Sequence, residues 1–177
     1  MPRSELDLNP VQHITADAIG KPGQRVFYLQ GWRETDIQPV TIIIEKVQLQ
    51  TLAAGLEQIL SEIAKENPAL VGFSVEYDED KMRITPPVDP IFRAGELGLG
   101  YDAGQDQVVI LVREVVMEDG DPEEASVVRF WCSRQQAGWL AAWSQEVVNR
   151  GRPLCPQCGQ PMEPEGHFCP KKNGHKH

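Results

Sequence analysis

The sequence predicts an α+β body of two tandem βββα halves sharing one core, followed by a small C-terminal zinc ribbon. Three observations carry that expectation. Runs rich in β-formers give way twice, near residues 48 and 135, to apolar residues spaced by three and four. The order strand, turn, strand, loop, strand, helix occurs over residues 11–66 and again over 91–149. The stretch from Cys155 to His175, C-P-Q-C-G-Q-P-M-E-P-E-G-H-F-C-P-K-K-N-G-H, has the spacing of a metal site.

In chain order, residues 1–10 are polar and are expected to be loose, so the body is placed at 9–150. Residues 11–18 alternate in part, Gly20-Lys-Pro-Gly23 is a turn, and 25–32 (R-V-F-Y-L-Q-G-W) read as the partner strand of a hairpin. Residues 40–47 form a third strand with an apolar centre. Leu49, Leu52, Ala53, Leu56, Ile59, Leu60 and Ile63 then make one face of an amphipathic helix, which Asn67-Pro68 ends. Residues 70–77 fit either a helix end or an edge strand, and Thr85-Pro-Pro-Val-Asp-Pro90 is a semi-rigid connector.

The pattern restarts with a Gly-rich strand at 92–101, a turn at 102–106, strands at 107–117 and 126–132, and a helix at 135–149. A shift of 87 positions lays Leu52, Leu56 and Leu60 onto Trp139, Trp143 and Val147. Little identity accompanies this match, so the repeat is one of pattern, compatible with a pseudo-two-fold relation. Three strands and one helix alone would be marginal, hence the shared core.

In the tail, residues 151–177, Cys155 and Cys158 form a C-x2-C knuckle, and Gly159 lets the backbone turn after the second thiolate. Cys169 is a third ligand. His167 is the preferred fourth, because positions 167 and 169 face the same way in an extended segment. His175 remains the alternative through a turn at 170–174, with His177 behind it. Three Cys and one His close a tetrahedral site, which makes the zinc structural. So short a tail cannot bury its own core. Zinc supplies on the order of 10–16 kcal/mol in small zinc peptides. Loose thiols, a disulfide and a redox pair are weaker readings, since prolines and glycines flank the cysteines and nothing marks secretion.

The net charge is −9, unevenly spread. Residues 150–177 carry five Lys/Arg against two Glu, which leaves −12 on the rest. An acidic body repels phosphate backbones and anionic lipid, so nucleic acid is disfavoured as a partner. No long apolar run suggests a membrane span and no apolar leader opens the chain, so a cytoplasmic location is expected.

No P-loop, dinucleotide fingerprint or hydrolase motif occurs. The glycines of F-R-A-G-E-L-G-L-G-Y-D fit a bulge or close backbone packing better than a phosphate loop. Arg93, Tyr101 and Asp102 are the candidate ligand-binding residues if the body holds a pocket. Cys132 reads as an inert buried thiol, with His13 its distant partner at best, and Trp139 and Trp143 read as core.

The central F-R-A-G-E-L-G-L-G-Y-D together with the tail resembles an uncharacterised bacterial family of conserved hypothetical proteins, over nearly the whole chain. The resemblance implies a cytoplasmic bacterial protein. It also implies a tail ending in G-H-x-C-P then N-G with a variable last position, which favours His167. Family members tend to be encoded beside histidine-phosphatase-like and kinase-like proteins, which implies at most a shared phosphate-related pathway. The expected function is a non-enzymatic binding or adaptor protein with a structural zinc and a protein partner. The alternative is an enzyme for a phosphorylated or otherwise charged metabolite, with its site in the body.

Overall fold

Alternating segments become strands and three-four spacing becomes helix close to where the sequence places them. The structure is a computed structural model and describes residues 3–70, 72, 74 and 76–150. The expected zinc ribbon at 151–177 lies outside the described residues. The elements are β1 (Glu5–Leu8), β2 (His13–Ile19), β3 (Val26–Trp32), β4 (Val40–Ile44), α1 (Lys46–Glu66), α2 (Glu79–Met82), β5 (Pro90–Asp102), β6 (Gln107–Glu114), a 3-10 turn at Pro122–Glu124, β7 (Val127–Cys132) and α3 (Arg134–Arg150).

The seven strands form one mixed sheet in the order β1-β7-β6-β5-β4-β3-β2. Strands β2, β3 and β4 are antiparallel neighbours, as are β5, β6 and β7. The two sets meet where β4 runs parallel to β5. The N-terminal residues depart from expectation. E-L-D-L alternates over only four residues, yet it forms β1, parallel to β7, and buries Leu8 completely. Of the undecided stretch at 70–77, the described residues are in neither helix nor strand, and the single turn α2 follows it.

Both long helices start on reciprocal caps. The Glu45 amide donates to Gln48 Oε1 at 2.7 Å ahead of α1. Ahead of α3, Ser133 Oγ accepts from the Gln136 amide at 3.0 Å and Gln136 Oε1 from the Ser133 amide at 2.9 Å. The buried stripe of α1, Leu49, Leu52, Leu56 and Ile63, joins Leu140, Trp143 and Val147 of α3 in one cluster with Leu29, Ile42, Ile110 and Phe130 of the sheet. Trp143 has no exposed surface, and its indole N–H donates to the Ala16 carbonyl. Truncating so large a buried side chain typically costs about 3–5 kcal/mol.

The opposite face of β2–β4 is polar and equally covered. Thr15, Gln30 and Thr41 are cross-strand neighbours and fully buried. Gln30 meets the connector at both ends of its amide: Nε2 donates to the Thr85 carbonyl at 2.9 Å, and Oε1 accepts from the Thr85 amide at 2.8 Å. Asp17 accepts from the Ile84 amide at 3.0 Å. The proline-rich connector is thus a strap across the back of β2 and β3.

The sheet curls until the β2–β3 end approaches β7. The Val11 amide, just ahead of β2, donates to the Trp131 carbonyl of β7 at 2.9 Å. A Cβ on Gly31 would lie 2.9 Å from the Phe130 ring, so only glycine fits where β3 faces β7. Gly31→Ala is expected to destabilise by about 1–3 kcal/mol through overpacking, read from urea unfolding.

His13 packs against Trp32 with ring centroids 4.7 Å apart and the rings tilted by 42°. Burial lowers its pKa below the usual value, despite a backbone hydrogen bond to Lys81 that works the other way. The unfolded chain takes up a proton near pH 6.5 while the folded chain resists it. Stability is therefore present above about pH 6.5 and declines as pH falls from there toward the lowered value. His13→Gln should flatten that slope between pH 7 and pH 5 in urea titrations; an unchanged slope would show that His13 is not its source.

Candidate functional site

The Gly-rich segment of β5 and the first half of α1 line a groove of about 510 Å³. Val47, Thr51 and Gly55 line one side, and Gly95, Leu97 and Leu99 the other. Its shape follows from the sequence. Register shifts between Ala94 and Glu96, so Gly95 sits at a bulge. A Cβ there would be 2.7 Å from the Val115 backbone. On the helix, a Cβ on Gly55 would be 2.8 Å from Leu99 Cδ1, the movable end of a half-buried side chain across the groove. Gln48 Nε2 donates to the Ala94 carbonyl at 3.2 Å and fastens the helix start to the bulge.

Polar groups are few in the groove. Glu96 stands at the rim with its side chain 74% exposed, 3.6 Å from Arg113. The walls are aliphatic, with Leu97 and Leu99 half-buried. Such a surface suits an apolar side chain or segment better than a phosphorylated metabolite.

The structure separates the three candidate ligand-binding residues. Arg93 lies near the bulge, its guanidinium 2.9 Å from Glu45 Oε1 on an exposed pair. Tyr101 and Asp102 lie at the other end of β5, and at roughly 3.3 Å per residue this is on the order of 25 Å away. The Tyr101 hydroxyl donates to Asp106 Oδ1 at 2.7 Å, and Arg134 holds the same carboxylate through Nε at 2.8 Å and its terminal nitrogen at 3.1 Å. The Arg134 guanidinium holds the Asp106 carboxyl below the usual range, and the hydrogen bond to Asp106 pushes the Tyr101 phenol up. Asp102 Oδ1 accepts from the Gly104 and Gln105 amides at 2.9 and 3.2 Å and forms the turn. These two residues brace the β5–β6 hairpin against α3.

The remaining sequence candidates fall into structural roles or outside view. Cys132 is fully buried, its thiol 3.4 Å from the Val108 carbonyl, and burial pushes its pKa up to about 12. Trp143 lies in the core and Trp139 packs against it. Arg83 and Arg150 stand over the Trp143 ring at 5.5 and 5.2 Å, and Tyr77 meets it edge-on at 5.7 Å. Cys155, Cys158, His167, Cys169 and His175 lie outside the described residues. Among the described residues, no three His, Cys, Asp or Glu side chains come together as a metal-holding group. Nor is any helix among them long and apolar enough to cross a membrane.

Sequence reasoning passed over the groove because its walls come from two ordinary-looking patterns. The signals were Gly55 in the middle of an amphipathic helix and the Leu97/Leu99 alternation among glycines. Each gains meaning only when the two are side by side.

Cys132 should resist a water-borne thiol reagent in the native protein and react on unfolding in urea. Mass mapping of the labelled peptide would check this, and rapid native labelling at Cys132 would contradict the burial described.

A family model described as Protein of unknown function (DUF3090) matches residues 6–169. The chain therefore belongs to that family. No curated protein and no solved structure matches it.

Proposed function

We propose that this family member is a binding or adaptor protein whose C-terminal ribbon, residues 151–177, is held by one structural zinc ion. The ligands in this reading are Cys155, Cys158, Cys169 and His167, with His175 the alternative to His167. The observation that carries it is the C-x2-C…H-x-C spacing, whose borderline-soft donor set suits zinc. The family match runs through Cys169 and stops short of His175, which supports His167 as the fourth ligand. Four protein ligands leave no open position for water, so the ion holds the chain rather than activating a substrate. Three thiolates require reducing surroundings, which fits a cytoplasmic protein.

The groove supports a binding role for the body, since its walls are aliphatic and its polar groups few. An enzyme for a charged metabolite finds less support. Arg93 is paired with Glu45, while Tyr101 and Asp102 serve a hairpin at the other end of β5. The reading extends to the body's origin. The run β2-β3-β4-α1 and the run β5-β6-β7-α3 share one element order, which supports two copies of a βββα unit.

The test is metal content of tag-free protein purified reduced and without chelator. About one zinc per chain is expected, lost in Cys158→Ser and His167→Ala and kept in His175→Ala. Loss in His175→Ala instead would move the fourth ligand to that residue. Absence of zinc from the parent protein would overturn the reading.

A further inference from the structure

The end of α3 lies beside the start of α1. Gln145 Nε2 donates to Glu57 Oε1 at 2.6 Å, and Gln145, Val148 and Asn149 share a recess of about 220 Å³ with Gln50. The two helices therefore run antiparallel, and α3 ends with Val148 and Asn149 beside the first turns of α1 while the Arg150 side chain turns to Glu79 and Glu146. The larger groove occupies the other flank of those same turns. With about 3.6 residues per turn, Val47, Thr51 and Gly55 face β5, while Gln50 and Glu57 face α3. At the lip of the groove Val47 stands 64% exposed, an aliphatic side chain beside an otherwise polar crest.

We infer that residues 151–177 cross this crest and seat their apolar side chains in the groove between α1 and β5. The inference rests on the ribbon reading above and says where the ribbon braces the body. Reach permits it. Residues 151–154 precede the first cysteine and span up to roughly 13 Å when extended, while a helix with its side chains is about 10–12 Å wide. The chemistry also matches. Leu154, Met162 and Phe168 are the large apolar residues of the segment, and the groove offers Leu97 and Leu99 half-buried. Arg152, Lys171, Lys172 and Lys176 give the segment a positive excess over Glu163 and Glu165, against an acidic body with Glu96 at the groove's rim. A segment too short to bury a core of its own gains one by covering a groove that is already shaped.

The test places a photoreactive benzophenone side chain at position 47 of the full-length, zinc-supplied protein. The dilute sample is irradiated, cross-linked peptides are mapped, and zinc is measured on the same sample. The expected result is an intrachain cross-link from position 47 into residues 151–177. It should be lost in Thr51→Trp, where an exposed helix position is enlarged to fill the groove; an unchanged far-UV spectrum reports that the variant folds. Zinc-loaded protein that cross-links only to another copy, only to the body, or not at all overturns the docking and leaves the zinc reading standing. A cross-link in protein without zinc upholds the docking and removes the zinc reading. Neither cross-link nor zinc overturns both.

Discussion

The parallel seam between β4 and β5 is the constraint on which the other parts of the body depend. A hairpin cannot join parallel neighbours, so the chain needs a crossover. It uses the 45 residues between Ile44 and Pro90. The first part of that crossover is α1, laid over the apolar face of the sheet. The return passes α2 near the β2 edge and crosses the opposite face at Ile84 and Thr85 before entering β5. One topological requirement thus supplies both the helix that covers the core and the strap that covers the back.

That strap explains residues that look misplaced in a strand. Buried Thr15, Gln30 and Thr41 would each cost about 1–3 kcal/mol if left without partners. Gln30 instead pairs with the Thr85 backbone and donates to Thr41 Oγ1 at 3.1 Å, and Thr15 donates to the Met82 carbonyl. Polar contacts on one face and apolar contacts on the other fix β3 between two layers. The seam itself is sparsely registered, with Thr41 opposite Pro90 and Ile43 opposite Arg93. The bulge at Gly95 follows directly after it, at the end of the groove where Gln48 ties α1 to β5.

Much of this was legible in the sequence, for reasons that differ by element. Strand β4 and helix α1 were readable because V-T-I-I-I and the Leu49–Ile63 spacing belong to unmistakably different periods. Strand β1 was not, because four residues with two acids carry too little pattern and its partner β7 lies more than a hundred residues away. The strap was half legible. The prolines announced a connector, but its hydrogen bonds to Gln30 join positions 55 apart. The proposed ligand-binding residues were chosen because they flank one Gly-rich segment. A strand that long carries its two ends to different parts of the molecule, and Arg93 and Tyr101 meet different partners. The proposed zinc ligands rest on local spacing alone, a signal read without tertiary contacts.

The short strand β1 has a consequence for how copies of this protein meet one another. It ends the sheet, pairing with a strand on one side only, and on its other side the Asp7 carbonyl accepts from the Arg33 guanidinium at 3.3 Å. An open edge of this kind can template a neighbouring molecule into a continuous sheet. Here the edge is only four residues long, and it carries Glu5 and Asp7, with Asp7 held by Arg129 and by the Trp131 indole at 2.9 Å. Two such edges brought together would set carboxylates against carboxylates across a stretch too brief to compensate. A strand this short, with Glu5 held by Arg3 and Asp7 by Arg129, offers a poor template for a further strand on that side of the sheet.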